Sequence, residues 1–107
     1  MYENLTIELL SKLFKLLNDQ NRLKIIFIIG KDSKPVSEII QQTKLSQTLV
    51  SFHLRPLRES GILSTERKGA FIYYRLTEPG LVDILTSLGG VPFKQGVKDI
   101  CFPFKPP

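Results

Sequence analysis

The stretch from Ser46 to Leu76 changes its apolar period part-way along, and no single secondary structure fits both halves. Up to Gly61 the apolar residues Val50, Leu54 and Leu57 recur at i, i+4 and i+7, which is one face of a helix. Beyond it, Ile62–Arg67 and Phe71–Leu76 are rich in strand formers and flank Lys68-Gly69-Ala70, where Gly69 can supply a positive φ. A helix running straight into a tight hairpin is therefore expected. Ser46 is a good N-cap for the helix Gln47–Ser60, and Gly61 stops it.

The elements before this unit are helical. Asn4–Leu17 holds Leu5, Leu9, Leu10, Leu13, Phe14, Leu16 and Leu17, more large apolar residues than one stripe needs. One face can meet the chain's own core, and the other calls for a second partner, best supplied by another copy. Asn18 or Asp19 caps a second helix, Gln20–Ile29, ended by Gly30 and apolar enough after Arg22 to be central. Pro35 suits the first turn of a short third helix, Pro35–Gln42, with Val36, Ile39 and Ile40 inward. Thr43-Lys44-Leu45 then connects it tightly to the Ser46 helix. After the hairpin, Thr77 is expected to cap a last helix, with Pro79 in its first turn, running to about Leu88 with Leu81, Ile84, Leu85 and Leu88 as its stripe. The fold class that follows is mainly α with a small β-hairpin. Its order is four helices, two strands and a fifth helix, a winged helix-turn-helix. Residues 1–88 form one domain. Residues 89–107 are a Pro/Phe-rich C-terminal extension, holding four of the seven prolines, expected to drape over the core or a partner subunit, or else to close an inducer pocket.

Charge is concentrated where the helix-turn-helix falls. The chain of 107 residues has a net charge of +5. Residues 44–75 carry Lys44, Arg55, Arg58, Arg67, Lys68 and Arg75 against Glu59 and Glu66, a net of +4. A localised basic segment is what neutralisation of DNA phosphates needs, although a solvated basic face looks the same by charge alone. The exposed face of the fourth helix reads Gln47, Thr48, Ser51, Phe52 and Arg55. Gln47 can pair with adenine in both its bonds, Thr48 and Ser51 can bond bases or phosphates, and Arg55 can reach guanine or the backbone. The helix start at Ser46 offers free N–H groups to a phosphate. Arg67 and Lys68 at the wing tip can touch the backbone or the minor groove. Phe52 suits contact with a thymine methyl and equally suits an exposed side chain of no consequence. His53, the single histidine, is placed half-buried at the helix edge, in a structural or DNA-proximal role. Pro56 removes one backbone bond from that helix and should bend it. The candidate DNA contacts are thus Lys44, Ser46, Gln47, Thr48, Ser51, Phe52, His53, Arg55, Arg67 and Lys68. On the first helix the candidate dimer contacts are Leu5, Leu9, Leu13 and Leu16.

Three segments, LNDQNRLKIIFII, PVSEIIQQTKLSQTLVSFHLRPLRESGIL and ERKGAFIYYRL, make the chain similar to the winged-helix repressors of the ArsR/SmtB family over about residues 5–88. The resemblance implies a homodimer built through the first and last helices, which adds Leu81, Ile84, Leu85 and Leu88 to the candidate dimer contacts, and that dimer binds a near-palindromic operator and is released by an inducer. Many members carry a Cys-x-Cys metal pair at the start of the third helix, and those positions match Pro35 and Ser37 here. Others place Asp and His ligands on the last helix, which here offers Asp83 and no His. Sensing of metals by either site is not expected, no metal or cofactor is assigned, and the inducer is an unidentified small molecule if there is one. Cys101, the one cysteine, is either a packed small hydrophobe or a thiol sensor.

Other classes are poorly served. The chain has no phosphate loop, no Ser/His/Asp set and no clustered carboxylates, so an enzyme is not expected. The longest apolar run, Ile25–Ile29, is far short of the ~20 residues that span a bilayer. The opening MYENLTIE lacks the basic region of a secretion signal, which points to the cytoplasm. The alternative to a DNA-binding regulator is a winged-helix module that docks proteins without DNA; the +4 of the middle third favours double-stranded DNA.

Overall fold

A computed structural model describes residues 3–90. In chain order the elements are α1 (Asn4–Leu17), α2 (Gln20–Ile29), β1 (Ser33–Pro35), α3 (Val36–Thr43), α4 (Gln47–Glu59), β2 (Leu63–Lys68), β3 (Phe71–Leu76) and α5 (Leu81–Gly89). The extension from residue 91 onwards, with the readings made of it and of Cys101, lies outside the described residues.

Caps and glycines set the helix limits. The Asp19 side chain accepts from the Arg22 backbone N–H and starts α2. Gly30, at φ 58°, closes it in a conformation that costs an ordinary residue a Cβ clash. The core lies between α2 and the pair α3–α4. Ile25, Ile26 and Ile29 of α2, Ile39 of α3, and Val50, Leu54 and Leu57 of α4 are fully or almost fully buried there. Each such side chain contributes about 1.5–3 kcal/mol from removal of apolar area from water. Leu17 closes one end of this core and Leu63 and Leu76 the sheet end. Pro56 stands inside α4, where its missing N–H breaks the ladder one turn past the exposed N-terminal half.

The sheet has three strands rather than two, in the order β1-β3-β2, all antiparallel. Ser33 pairs with Arg75 and Pro35 with Tyr73. Pro35 is therefore the last residue of an edge strand, where a missing N–H costs no ladder bond, and α3 begins at Val36. The hairpin turns in two residues: Lys68 pairs with Phe71, and Gly69 takes φ 63°. Tyr74 packs on the core, whereas the Tyr73 ring carries the Lys68 ammonium 4.8 Å from its centre. Thr77 does not cap the last helix. Its N–H bonds the Ile62 carbonyl and its hydroxyl meets that of Ser64, so it prolongs the sheet. The Glu78 carboxylate instead accepts from the Gly80 N–H, and α5 starts two residues beyond Pro79.

Candidate nucleic-acid interface

The turn between α3 and α4 is built by its own side chains. The Thr43 hydroxyl donates to the Ile39 carbonyl (2.8 Å) and accepts from the Leu45 N–H (3.2 Å). Lys44 is left-handed at φ 61°, the only described non-glycine residue with positive φ, and its N–H closes α3 onto Ile40. This kink swings the chain so that Ser46 accepts from the Leu49 N–H (3.1 Å) and α4 leaves at an angle to α3.

The stripe Val50, Leu54, Leu57 anchors α4 in the core, and the rest of the helix surface is bare. Ser46, Gln47, Thr48, Ser51, Phe52 and Arg55 are all exposed, Phe52 at 66% of its surface. Lys44 stands exposed at the start of this row, and Arg67 and Lys68 stand exposed at the far end of the hairpin. Lys68 lies 3.6 Å from Glu66, and Arg55 donates to Glu59 at 3.1 Å. Among the described residues Arg67 is paired with no carboxylate. A polar helix face with free N–H groups at its start, next to a basic-tipped hairpin, is the shape that lies in a major groove while the wing touches the strand beside it.

His53 is the exception. It is only 4% exposed and points away from the bare face. Its Nδ1 lies 3.5 Å from Arg22 Nη1 and 3.9 Å from Asp19 Oδ1. A buried imidazole held from behind cannot touch DNA, so its expected place among the DNA contacts is withdrawn. Helical phase is the reason: position 53 shares a side with Val50, Leu54 and Leu57.

The cluster around it was not foreseen from sequence. Arg22 also donates through Nε to the Leu16 carbonyl at the end of α1. Burial opposes ionisation of the Asp19 carboxyl. The Arg22 N–H it accepts, the electrostatic effect of His53 and Arg22 and the Asn21 N–H together outweigh this and hold the group below the usual carboxylate range.

A second uncovered surface is formed by α1, α2 and α5. Of the eight expected dimer contacts, Leu5, Leu9, Ile84 and Leu88 are exposed, while Leu13, Leu16, Leu81 and Leu85 lean on the chain's own core. Sequence reading undervalued the flank that carries Ile7, Leu10 and Phe14, spaced i, i+3 and i+7. With Phe27 of α2 and Leu85 and Leu88 of α5 it walls an open apolar cleft of about 1150 Å³.

The metal sites that the resemblance brings to mind do not fit these residues. Pro35 ends a strand, Ser37 is an exposed serine, and the Asp83 carboxylate is bound by the Lys31 ammonium at 2.8 Å. Among the described residues no three His, Cys, Asp or Glu side chains are grouped to hold a metal ion.

Comparison with known proteins agrees with this geometry. The family described as "Bacterial regulatory protein, arsR family" matches residues 19–65, from the Asp19 cap through α4 into β2. The Bacillus subtilis transcriptional repressor SdpR is 31% identical over 74 residues, covering 69% of this chain and 82% of that protein. The chain belongs to the ArsR family. The Pseudomonas putida arsenic resistance regulator ArsR1 is 42% identical over 64 residues, 59% of this chain, and the match spans half of that protein's length. Among solved structures, the Xylella fastidiosa transcriptional repressor BigR superposes with a TM-score of 0.70 at 33% identity, covering 77% of this chain and 84% of the other. This ArsR-family chain is accordingly a winged-helix DNA-binding transcriptional regulator, and the protein-docking alternative falls away. No described helix is long and apolar enough to cross a membrane.

Proposed function

We propose that this ArsR-family regulator acts in the cytoplasm as a homodimeric repressor on a near-palindromic operator. The observation that carries the reading is the uncovered apolar cleft between α1, α2 and α5. Leu10, Phe14, Phe27 and Leu88 are each at least 45% exposed, an apolar surface that a soluble monomer rarely leaves open. A second copy related by a two-fold axis covers the cleft on both chains at once and presents two α4 helices, each in a major groove one helical turn from the other. In this reading Gln47 and Arg55 read base edges, Phe52 meets a thymine methyl, and Thr48 and Ser51 bond bases or phosphates. Lys44, Arg67, Lys68 and the Ser46 end of α4 hold the strands. An inducer, if one exists, is a small molecule not bound through the family's metal positions.

Selection of bound duplexes from random DNA, with sedimentation of the same protein, tests the reading. The expected result is an inverted repeat bound by two copies, with Gln47→Ala and Arg55→Ala losing base preference while remaining dimers. Phe14→Asp is expected to sediment as a monomer. A monomeric wild type at micromolar concentration, or no enriched sequence, would overturn it.

A further inference from the structure

We infer that His53, locked by Arg22 and Asp19, is a positioning residue that sets the angle of the recognition helix relative to the dimer helices, and thereby governs operator recognition without touching DNA. The clause about dimer helices rests on the homodimer proposed above.

The other anchors of α4 leave its angle undecided. Val50, Leu54 and Leu57 bury apolar area, and that attraction has no direction. Apolar cores tolerate small rotations and shifts when volume is kept. A hydrogen bond between buried groups is directional, and leaving it unmade is costly. Arg22 Nη1 stands 3.5 Å from His53 Nδ1, and the guanidinium, which has only N–H donors, points one of them at the imidazole edge. The same guanidinium donates to the Leu16 carbonyl, in the last turn of α1, where no intrahelical partner exists. Asp19, at the start of α2, places its Oδ1 3.9 Å from the same imidazole nitrogen and accepts from the Arg22 backbone N–H.

One side-chain cluster thus joins three helices. Its α1 end, at the Leu16 carbonyl, directly precedes Leu17 and Asn18 in the chain, two residues that line the apolar cleft. Its α4 end reaches the DNA-facing row, because the exposed Phe52 ring stands edge-on to the His53 ring at 5.3 Å. A change of angle at His53 moves Phe52, Ser51 and Arg55 together, and in a dimer it alters the distance between the two recognition helices.

The test uses the full chain and the duplex selected by the wild type, alongside a scrambled duplex and a set of duplexes with the half-site spacing altered by one base pair either way. His53→Ala is expected to bind the selected duplex at least tenfold more weakly, to bind the scrambled duplex within twofold of wild type, and to lose the preference for one spacing. His53→Asn, whose side-chain oxygen can accept from Arg22 in place of Nδ1, is expected to recover most of the affinity and the spacing preference. Arg22→Leu is expected to reproduce the His53→Ala pattern and serves in its place if that variant does not fold. Sedimentation of the same variants separates the two claims: a dimer with altered spacing preference supports the positioning role, and a monomer refutes the dimer instead. Folded, dimeric variants that keep wild-type affinity and spacing preference, or that weaken both duplexes equally, would overturn the inference.

Discussion

The salt dependence of operator binding can be worked from the placement of the cations. Lys44 stands exposed at the start of α4, and Arg67 and Lys68 stand exposed at the wing. If each meets one phosphate, a dimer neutralises six, and log K should fall against log salt with a slope of about −5. Between 50 and 200 mM salt that slope is a loss of roughly a thousandfold in affinity. The three are not equivalent. Arg67 pairs with no described carboxylate, so Arg67→Ala should remove two full contacts per dimer and flatten the slope by about 2. Lys68 already has Glu66 at 3.6 Å and the Tyr73 ring beneath it. Its net gain on reaching a phosphate is smaller, and Lys68→Ala should flatten the slope by less than Arg67→Ala. Fluorescence anisotropy on the selected duplex from 50 to 300 mM salt measures all three slopes. A wild-type slope shallower than about −2 would mean that these cations do not replace counterions on the backbone. Equal slopes for the two variants would refute the ranking drawn from Glu66.

Two further predictions concern the turn and the cluster. Lys44 holds a left-handed backbone at φ 61°, which costs a side-chain-bearing residue about 1–2 kcal/mol. Lys44→Gly should leave stability unchanged or raise it by up to about 1 kcal/mol in urea unfolding, glycine's extra chain entropy offsetting part of the relief, while weakening DNA binding. A large loss of stability would show that the Lys44 side chain holds the turn. For Asp19 the folded pKa lies below the unfolded one, so its charge stabilises the fold above about pH 4 and that contribution disappears as acid carries the pH down through the folded value. The stability gap between wild type and Asp19→Asn, which keeps a good cap, should therefore be widest near neutrality and close in acid. A gap that does not change with pH would sink this assignment.

Where local chemistry decides an element, the chain announces it. The limits of α1 and α2 are those expected, and α4 ends one residue short of Ser60, because caps and glycines act within a few residues of where they stand. β1 was invisible for the opposite reason. Ser33-Lys34-Pro35 has no strand alternation and becomes a strand only because β3 lies beside it. Thr77 looked like a cap by type, yet the sheet reached it first. His53 was misread by residue type although its spacing from Val50 and Leu57 already put it on the buried side. The Arg22 link could not be foreseen, since 31 residues separate the partners. The second apolar flank of α1 was written in Ile7, Leu10 and Phe14, but only the open angle between α1 and α5 shows that the chain's own core leaves it bare.

In the proposed function, stability and recognition fall on different sides of one helix, so α4 can hold a fold and still leave its outer face open to change. The buried side and the Ser46 cap fix α4 in place. The outer side contributes almost nothing to the fold. Its one ion pair among the described residues, Arg55 with Glu59, is exposed and spaced i, i+4, worth about 0.3–0.5 kcal/mol. That pair is strong enough to bias the guanidinium along the helix, yet far weaker than a good bidentate bond to guanine, worth about 1–3 kcal/mol of discrimination. Arg55 can therefore leave Glu59 for a base at little cost.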